Sequence, residues 1–320
     1  IYMDKVPESA AVNESVKLAK KLTRGLSGFV NAILRSVIRE QDSIGIEDLA
    51  TNDIEAISFI YNIPLWLINL WISEFGRDKT EDLCAWFNEQ PKLTARINTI
   101  LIDIPQCLTM LNEQGWAVTQ DSNYEDIIYI NSHRGSLEKS EAFIKGYITF
   151  MDKASMLVAR LVNPQPGECI LDCCAAPGGK SMYMAALMDN VGSLMSCDIH
   201  EHKIELMNSN AERLGASIVH TKVQDATKLP DSWNSYFDRV LVDAPCSGLG
   251  ILQKKLDMRW RKQESILREL PPLQLAILER AAMTVKEKGY LIYSTCTLNY
   301  KENEAVVEAF LQKHKEFSII

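Results

Sequence analysis

Two cysteines in this sequence each follow a short apolar run, a position that suits thiol chemistry. Cys246 lies in Asp-Ala-Pro-Cys-Ser-Gly after the run at residues 238–242, and Cys296 lies in Ser-Thr-Cys-Thr after the run at residues 290–293. Both runs are typical of buried strands. Because the carboxyl ends of parallel strands form the ligand crevice of an open sheet, we expect both thiols to face one crevice.

A third loop of this kind is suited to holding a cofactor. It follows the run at residues 169–171 and opens onto a helical stretch at residues 181–188. Its glycines let the backbone approach a ligand closely, and the helix start offers unpaired amide donors. We expect the cofactor to be bound by the loop residues Cys174, Ala175, Ala176, Pro177, Gly178, Gly179 and Lys180.

Acidic residues at three strand ends indicate a nucleoside cofactor. Asp198 lies 198 − 178 = 20 residues beyond Gly178, near the spacing at which a carboxylate accepts hydrogen bonds from a ribose diol. Asp225 is placed to bind an adenine amino group, and Asp243 ends the next strand. The loop lacks the Gly-x-Gly-x-x-Gly pattern that holds a pyrophosphate. We therefore expect S-adenosylmethionine, with its cationic methyl donor, rather than a dinucleotide.

The elements around these loops alternate in the order of an α/β fold with a parallel sheet. Strands are expected at residues 168–173, 193–198, 218–222, 239–243 and 290–294, and the intervening helices at residues 179–188, 200–214 and 272–286. This region begins near Asp152. It is the part of the chain that must position the three loops.

Two smaller regions precede it. Apolar residues at helical spacing predict helices at residues 9–22, 28–40, 46–60, 64–74 and 79–89. A small α+β module follows, with strands at residues 93–97, 117–119, 127–130 and 147–150 and a helix at residues 105–114. We accordingly divide the chain into residues 1–60, 61–150 and 151–320.

Composition and charge limit the class of protein. The chain has 320 residues, of which 47% are hydrophobic and 24% charged, enough for a globular protein with a sizeable core. No apolar stretch approaches the roughly 20 residues that span a bilayer, and no secretory leader opens the sequence. We expect a cytoplasmic monomer without membrane contact. The net charge of −8 requires any contact with nucleic acid to be local.

The cysteines and histidines do not predict disulfides or metal. Most of the eight cysteines lie in strand-like runs of a chain too large to need cross-links. There is no Cys-x-x-Cys pair, and the five histidines have no ligand spacing. We expect reduced thiols and no metal.

A basic segment follows the Cys246 loop. Residues 254–268 carry six positive and two negative side chains, and the proximity to Cys246 favours substrate contact over a merely solvated helix face. Trp260 in this segment could stack on a base or anchor the loop. We expect it to be the anchor.

Several motifs together resemble the RNA 5-methylcytosine methyltransferases. They are Cys-Ala-Ala-Pro-Gly-Gly-Lys, Asp-Ala-Pro-Cys-Ser-Gly-Leu-Gly, Arg259-Trp260 and Ser-Thr-Cys-Thr followed by Glu302-Asn303-Glu304. The Sun/RsmB branch, which modifies 16S ribosomal RNA, is the most similar. The segments at residues 12–16 and 28–35 are similar to its helical NusB-like RNA-binding domain. The resemblance implies a Rossmann-like class I methyltransferase domain with a seven-stranded type of sheet, further residues before Ile1 and a final strand pair after Ile320.

The resemblance also implies roles for the site residues. A thiolate adds to C6 of cytosine, which makes C5 able to attack the methyl group. By this resemblance Cys296 is the nucleophile and Cys246 assists release, while Asp243 binds N3 and N4 of the pyrimidine. Lys180 positions the base or lowers the pKa of Cys296. The implied partner is ribosomal RNA, free or in a partly assembled particle.

Other functions remain open at this stage. A tRNA or other RNA could be the substrate of the same cytosine-C5 chemistry. A DNA cytosine methyltransferase would use the thiol of the Pro-Cys loop as nucleophile and carry a separate target-recognition region. A noncatalytic RNA-binding or ribosome assembly factor would use mainly the helical domain.

Overall fold

The computed structural model describes residues 6–23, 25–40 and 50–320 and divides into two compact units, Ile1–Trp86 and Phe87–Ile320. The first unit is helical, as predicted. Its helices are α1 (Glu8–Leu22), α2 (Ser27–Glu40), α3 (Asp53–Tyr61), α4 (Leu65–Phe75) and most of α5 (Arg77–Asn88).

Helix α3 starts later than its apolar pattern predicts. The Asn52 side chain accepts the backbone N–H groups of Ile54 and Glu55, both at 3.0 Å, which fixes the start of the helix. The predicted helix began at residue 46, and residues 46–49 lie outside the described part of the chain. Within the described ranges no single helix is long and apolar enough to cross a membrane; α3 and α4 meet that test only jointly, with a bend of 114° between them.

The second unit begins with a small antiparallel sheet. Its strand order is β2-β3-β1-β4. The elements are β1 (Thr94–Ile97), α6 (Ile104–Glu113), β2 (Ala117–Gln120), β3 (Ile127–Ser132), α7 (Glu141–Ile144) and β4 (Ile148–Phe150). Ile97, Leu111 and Ile148 are fully buried in its core. The predicted strands and α6 are confirmed, while the single-turn helix α7 is too short to give a periodic signal.

A five-stranded parallel sheet forms the centre of the second unit, which confirms the Rossmann-like α/β fold. The strand order is β7-β6-β5-β8-β9, and every pair is parallel. The strands are β5 (Cys169–Asp172), β6 (Ser193–Asp198), β7 (Val219–Val223), β8 (Phe237–Asp243) and β9 (Val285–Ser294). Strand order reverses beside β5, so ligands are expected at the carboxyl ends there.

Helices flank this sheet. They are α8 (Lys153–Leu161), α9 (Gly179–Leu187), α10 (Glu201–Leu214), α11 (Met258–Arg261), α12 (Ile266–Ala282) and α13 (Glu304–Lys313). The prediction of a helix at residues 272–286 is wrong at both ends. Helix α12 continues through Pro271 and Pro272, which lie in its second turn. Its predicted end is strand instead, because Val285 already pairs with Phe237 of β8.

Candidate active site

The loop after β5 makes a tight turn into α9. Gly178 has φ = +96°, and a Cβ there would lie 3.1 Å from Met207 Cγ and 3.3 Å from Met182 Cε. The Gly178 N–H donates to the Ala175 carbonyl at 2.7 Å, and the Ala175 N–H donates to the Cys197 carbonyl of β6 at 2.7 Å. Glycine is therefore required at residue 178, and the turn is fixed against the neighbouring strand.

Two of the predicted carboxylates are held by local hydrogen bonds. Asp198 is nearly buried and accepts the backbone N–H of His200 at 3.0 Å and the Lys203 ammonium at 3.4 Å. Asp225 accepts the hydroxyl and backbone N–H of Thr227 at 2.7 and 2.9 Å. These hydrogen bonds hold the pKa of Asp225 below its usual value. Both carboxylates are thus oriented before any ligand binds.

One crevice of about 350 Å³ brings together the residues that the sequence singled out. Its lining includes Asp198, Asp225, Asp243, Cys246 and Cys296. From the β5 loop only Cys174 and Ala176 of the predicted cofactor residues contribute to the lining, whereas Ala175, Pro177, Gly178, Gly179 and Lys180 do not. His200, Gln224 and Thr227 also line the crevice and were not predicted. Within the described residues no cluster of three or more His, Cys, Asp or Glu could hold a metal ion.

The two cysteines form a hydrogen-bonded thiol pair. Their Sγ atoms lie 3.1 Å apart, and the Cys296 N–H also donates to Cys246 Sγ at 3.3 Å. With the Cys246 thiol as donor, this hydrogen bond lowers the pKa of Cys296 and raises that of Cys246. Lys180 also lowers the pKa of Cys296, while Asp243 opposes this. Cys296 is therefore the thiol that ionises first.

The thiol pair predicts a pH dependence of alkylation. In Cys246→Ala the donor is lost, so the pKa of Cys296 should rise and its alkylation by iodoacetamide should need higher pH. Cys246→Ser keeps a hydroxyl donor and should react at a pH closer to that of the native protein, because the thiolate is the reactive form. Mass spectrometry of the Cys296 peptide across a pH series measures this. Superimposable profiles for the two variants would contradict the assignment of the donor.

Asp243 lies between an ammonium group and a hydroxyl. Its Oδ2 accepts from Lys180 Nζ at 2.6 Å, and its Oδ1 accepts from Ser294 Oγ at 2.8 Å. Lys180 comes from the first turn of α9 and Ser294 ends β9. Three separate elements thus fix the carboxylate beside the thiol pair.

A fully buried carboxylate, Glu302, joins the two cysteine loops. It accepts the Ser247 N–H at 2.8 Å, Gln274 Nε2 at 3.0 Å and Asn299 Nδ2 at 2.9 Å, as well as the Ser247 hydroxyl. Ser247 Oγ also lies 2.7 Å from Thr297 Oγ1. Ser247 follows Cys246 and Thr297 follows Cys296, so this network sets the distance between the two thiols.

Removal of the Glu302 carboxylate should destabilise the protein strongly. In Glu302→Ala several buried donors lose their acceptor, and each unpaired group costs about 1–3 kcal/mol. We expect a loss of about 3 kcal/mol or more in the free energy of unfolding, measured by urea denaturation. Glu304→Ala is the matched control, because Glu304 has the same charge and an exposed side chain two residues away. Equal midpoints for the two variants would show that the network contributes little.

Asp172 is a further acidic strand end that sequence reasoning missed. It ends β5, is fully buried, and accepts the Ser181 hydroxyl at 2.7 Å. Burial raises the pKa of this carboxyl to about 7. Its position directly after an apolar run is the same signal that identified Asp198 and Asp243. Glu302 gave no such signal, because it follows no strand.

The raised pKa of Asp172 predicts that stability falls with increasing pH. Between its ordinary value of 3.8 and its folded value of about 7, the folded state holds a proton that the unfolded state has lost, so stability decreases across this window. Asp172→Asn removes this decrease, which is at most on the order of 4 kcal/mol in the free energy of unfolding.

Urea midpoints at about pH 5, inside this window, and at about pH 8, above it, provide the test. The advantage of Asp172→Asn over the native protein should grow with pH. The exposed control Asp189→Asn should show no such growth, and a constant difference for Asp172→Asn would refute the prediction.

The expectation for Trp260 is wrong: Arg259 anchors the loop instead. Arg259 is buried and donates to the Phe87 carbonyl at 2.6 Å and to Asn88 Oδ1 at 2.7 Å. The Trp260 side chain is 60% exposed. A planar guanidinium satisfies several acceptors at once, which an indole with one donor cannot do.

Comparison with known proteins defines the class of enzyme that this fold and crevice form. The family model described as "16S rRNA methyltransferase RsmB/F" matches residues 159–320. The model of an RsmF/B-like ferredoxin-like domain matches residues 63–135, and that of the NusB family matches residues 1–39. The protein is a methyltransferase with a Rossmann-like catalytic fold. It belongs to the 16S rRNA methyltransferase RsmB/F family, which confirms the resemblance.

Individual relatives extend over nearly the whole chain. The probable ribosomal RNA small subunit methyltransferase B of Bacillus subtilis (strain 168) is 38% identical over 99% of this chain and 70% of its own length. The corresponding Synechocystis protein is 37% identical over 99% of this chain and 71% of its own length. The crystal structure of PH0851 is similar with a TM-score of 0.85 and 29% identity, covering 96% of this chain and 68% of that one.

Proposed function

We propose that the protein transfers a methyl group from S-adenosylmethionine to C5 of a cytosine in 16S ribosomal RNA through a covalent cysteine adduct. The observation that carries the proposal is the thiol pair, with Sγ atoms 3.1 Å apart, in a crevice that also contains three strand-end carboxylates. Membership of the RsmB/F family supports ribosomal RNA as the substrate. The division into residues 1–60 for RNA binding, 61–150 as connector and 151–320 for catalysis belongs to the same proposal.

The crevice fits an adenosyl sulfonium cofactor. Its lining combines the three carboxylates with apolar side chains, among them Ile199, Ala226 and Leu273, so it offers polar partners for a ribose and apolar contacts for an adenine ring. Asp198 would accept the ribose hydroxyls, Asp225 would bind the adenine amino group, and the acidic lining favours a cation. When bound, S-adenosylmethionine supplies an electrophilic methyl group on sulfur.

Activation of cytosine requires the Cys296 thiolate. Its Sγ bonds to C6 of the ring, the electron pair of the C5–C6 double bond shifts to C4–C5, and the C4–N3 pair moves onto N3, which takes up a proton. C5 is then an enamine carbon that can attack an electrophile. Asp243, fixed by Lys180 and Ser294, would hold N3 and N4 of the pyrimidine. The lowered pKa of Cys296 supplies the reactive form of the thiol.

Product release requires the C5–H and C6–S bonds to break. Solvent water takes the proton from C5, the electron pair of that bond re-forms the C5–C6 double bond, Cys296 departs from C6 as a thiolate, and N3 gives up its proton. The Cys246 Sγ lies 3.1 Å from that of Cys296, so the Cys246 thiol can donate a hydrogen bond to the departing thiolate and stabilise it. This gives Cys246 its role in release.

Methylation of defined substrates tests the proposal. The protein is incubated with methyl-labelled S-adenosylmethionine and unmodified 16S ribosomal RNA, with transcribed tRNA and DNA as parallel substrates, and 5-methylcytosine is mapped at nucleotide resolution. Label at a defined cytosine of 16S ribosomal RNA is expected. Label only in tRNA or DNA would show that 16S ribosomal RNA is not the substrate. Label at an atom other than C5 would overturn the proposed chemistry.

A further inference from the structure

Helix α11, which follows the Cys246 loop in the chain, presents an apolar side chain to solvent. Trp260 is 60% exposed and Leu256 is 58% exposed. Adjacent residues on a helix point about 100° apart, and Arg259 is held in the interior by Phe87 and Asn88. The buried anchor therefore keeps Trp260 turned outward. The position of Trp260 is thus set by its buried neighbour and not by packing of its own indole in the core.

This surface continues from the active site. A Cβ added to Gly248, two residues after Cys246, would lie 3.0 Å from Met258 Cε of α11. The Gly250 N–H donates to the Cys296 carbonyl at 2.9 Å. The segment that leads to α11 is thus attached to both cysteine loops. A polymer whose target base reaches the thiols would pass close to α11.

The charge around Trp260 is complementary to a polyanion. Residues 254–268 have a net charge of 6 − 2 = +4 in a chain with a net charge of −8. Lys254 pairs with Asp152 at 2.8 Å and Arg261 pairs with Asp257 at 3.2 Å. Lys255 is exposed, and Lys262 is half-buried. Exposed aromatic side chains among cations are the usual composition of single-strand nucleic-acid sites.

We propose that the α11 patch, defined as Lys255, Leu256, Trp260 and Lys262, binds an unpaired nucleotide that flanks the target cytosine. Trp260 stacks on the base, and Lys255 and Lys262 contact phosphates. The inference rests on the proposed function, because it takes RNA as the substrate of the adjacent thiols. A nucleotide held there would fix the direction in which the strand enters the crevice.

Binding of a fluorescein-labelled single-stranded RNA that contains cytosine tests the patch by anisotropy. Trp260→Ala should weaken binding roughly 5- to 150-fold, the range for loss of one base stacked on an aromatic ring. Trp260→Phe should restore most of the affinity, whereas Trp260→Leu should not. Tyr236→Ala is the matched control, because Tyr236 is 53% exposed but precedes the amino end of β8. It should bind like the native protein.

The salt dependence of the same binding tests the lysines. Each phosphate contact with a single strand contributes about 0.7 to the slope of log affinity against log salt. Lys255→Ala should reduce that slope by about this amount, and Lys315→Ala, another exposed lysine, should leave it unchanged. Equal RNA affinity in Trp260→Ala and the native protein would overturn the proposal.

Methyl transfer by the same preparations separates this proposal from the proposed function. Native protein that methylates cytosine, together with an unimpaired Trp260→Ala, would overturn only the patch. RNA binding that depends on Trp260 without any 5-methylcytosine would overturn the proposed chemistry and support the patch. Native protein that binds no RNA would overturn both.

Discussion

Replacing Cys296 by alanine should abolish methyl transfer while cofactor binding is retained. The proposed reaction begins with a bond from Cys296 Sγ to C6, and without it C5 of cytosine is too weak a nucleophile to attack the methyl group. We expect a loss of roughly 10⁴-fold or more in rate, as for removal of other covalent nucleophiles. The rate of 5-methylcytosine formation and the affinity for S-adenosylmethionine are measured on one preparation.

The control for this variant is Cys107→Ala. Cys107 is a buried thiol in the small-sheet core whose pKa is raised to about 11 by burial, so it is not expected to act as a nucleophile. Cys107→Ala should methylate RNA at a rate close to that of the native protein. Normal methylation by Cys296→Ala would show that the reaction does not pass through this thiol.

Replacing Cys246 by alanine should trap the protein on its RNA. The adduct with Cys296 can form, but the departing thiolate loses the donor whose Sγ lies 3.1 Å away, so elimination is slowed more than addition. A protein–RNA band that survives denaturing gel electrophoresis is the expected result. Such a band requires a covalent bond, which distinguishes it from tight binding.

The double variant Cys246→Ala/Cys296→Ala is the sharpest control for trapping. It should give no band, because the sulfur that forms the adduct is absent. A band from Cys296→Ala alone would reverse the roles of the two thiols and make the Pro-Cys thiol the nucleophile, as in the DNA cytosine methyltransferases. The measurement therefore decides which cysteine attacks.

Local sequence patterns predicted most of the elements and the carboxylates of the crevice. Short apolar runs placed the five parallel strands to within a few residues, apart from the earlier start of β9. The residues after those runs, including Asp198, Asp243 and Cys246, line one crevice. This succeeds because the parallel topology brings all carboxyl ends to the same edge. Burial and strand pairing follow the hydrophobic pattern of the sequence.

Contacts between distant residues could be read only from the tertiary structure. Glu302 joins loops whose residues Ser247 and Thr297 are 50 positions apart, and nothing around Glu302 in the sequence marks it as buried. Arg259 and Trp260 are neighbours with opposite exposure, because two acceptors of Arg259, in Phe87 and Asn88, are more than 170 residues away. Hydrophobic periodicity records which face of an element is covered, whereas the partner of a buried polar group depends on which elements the fold brings together.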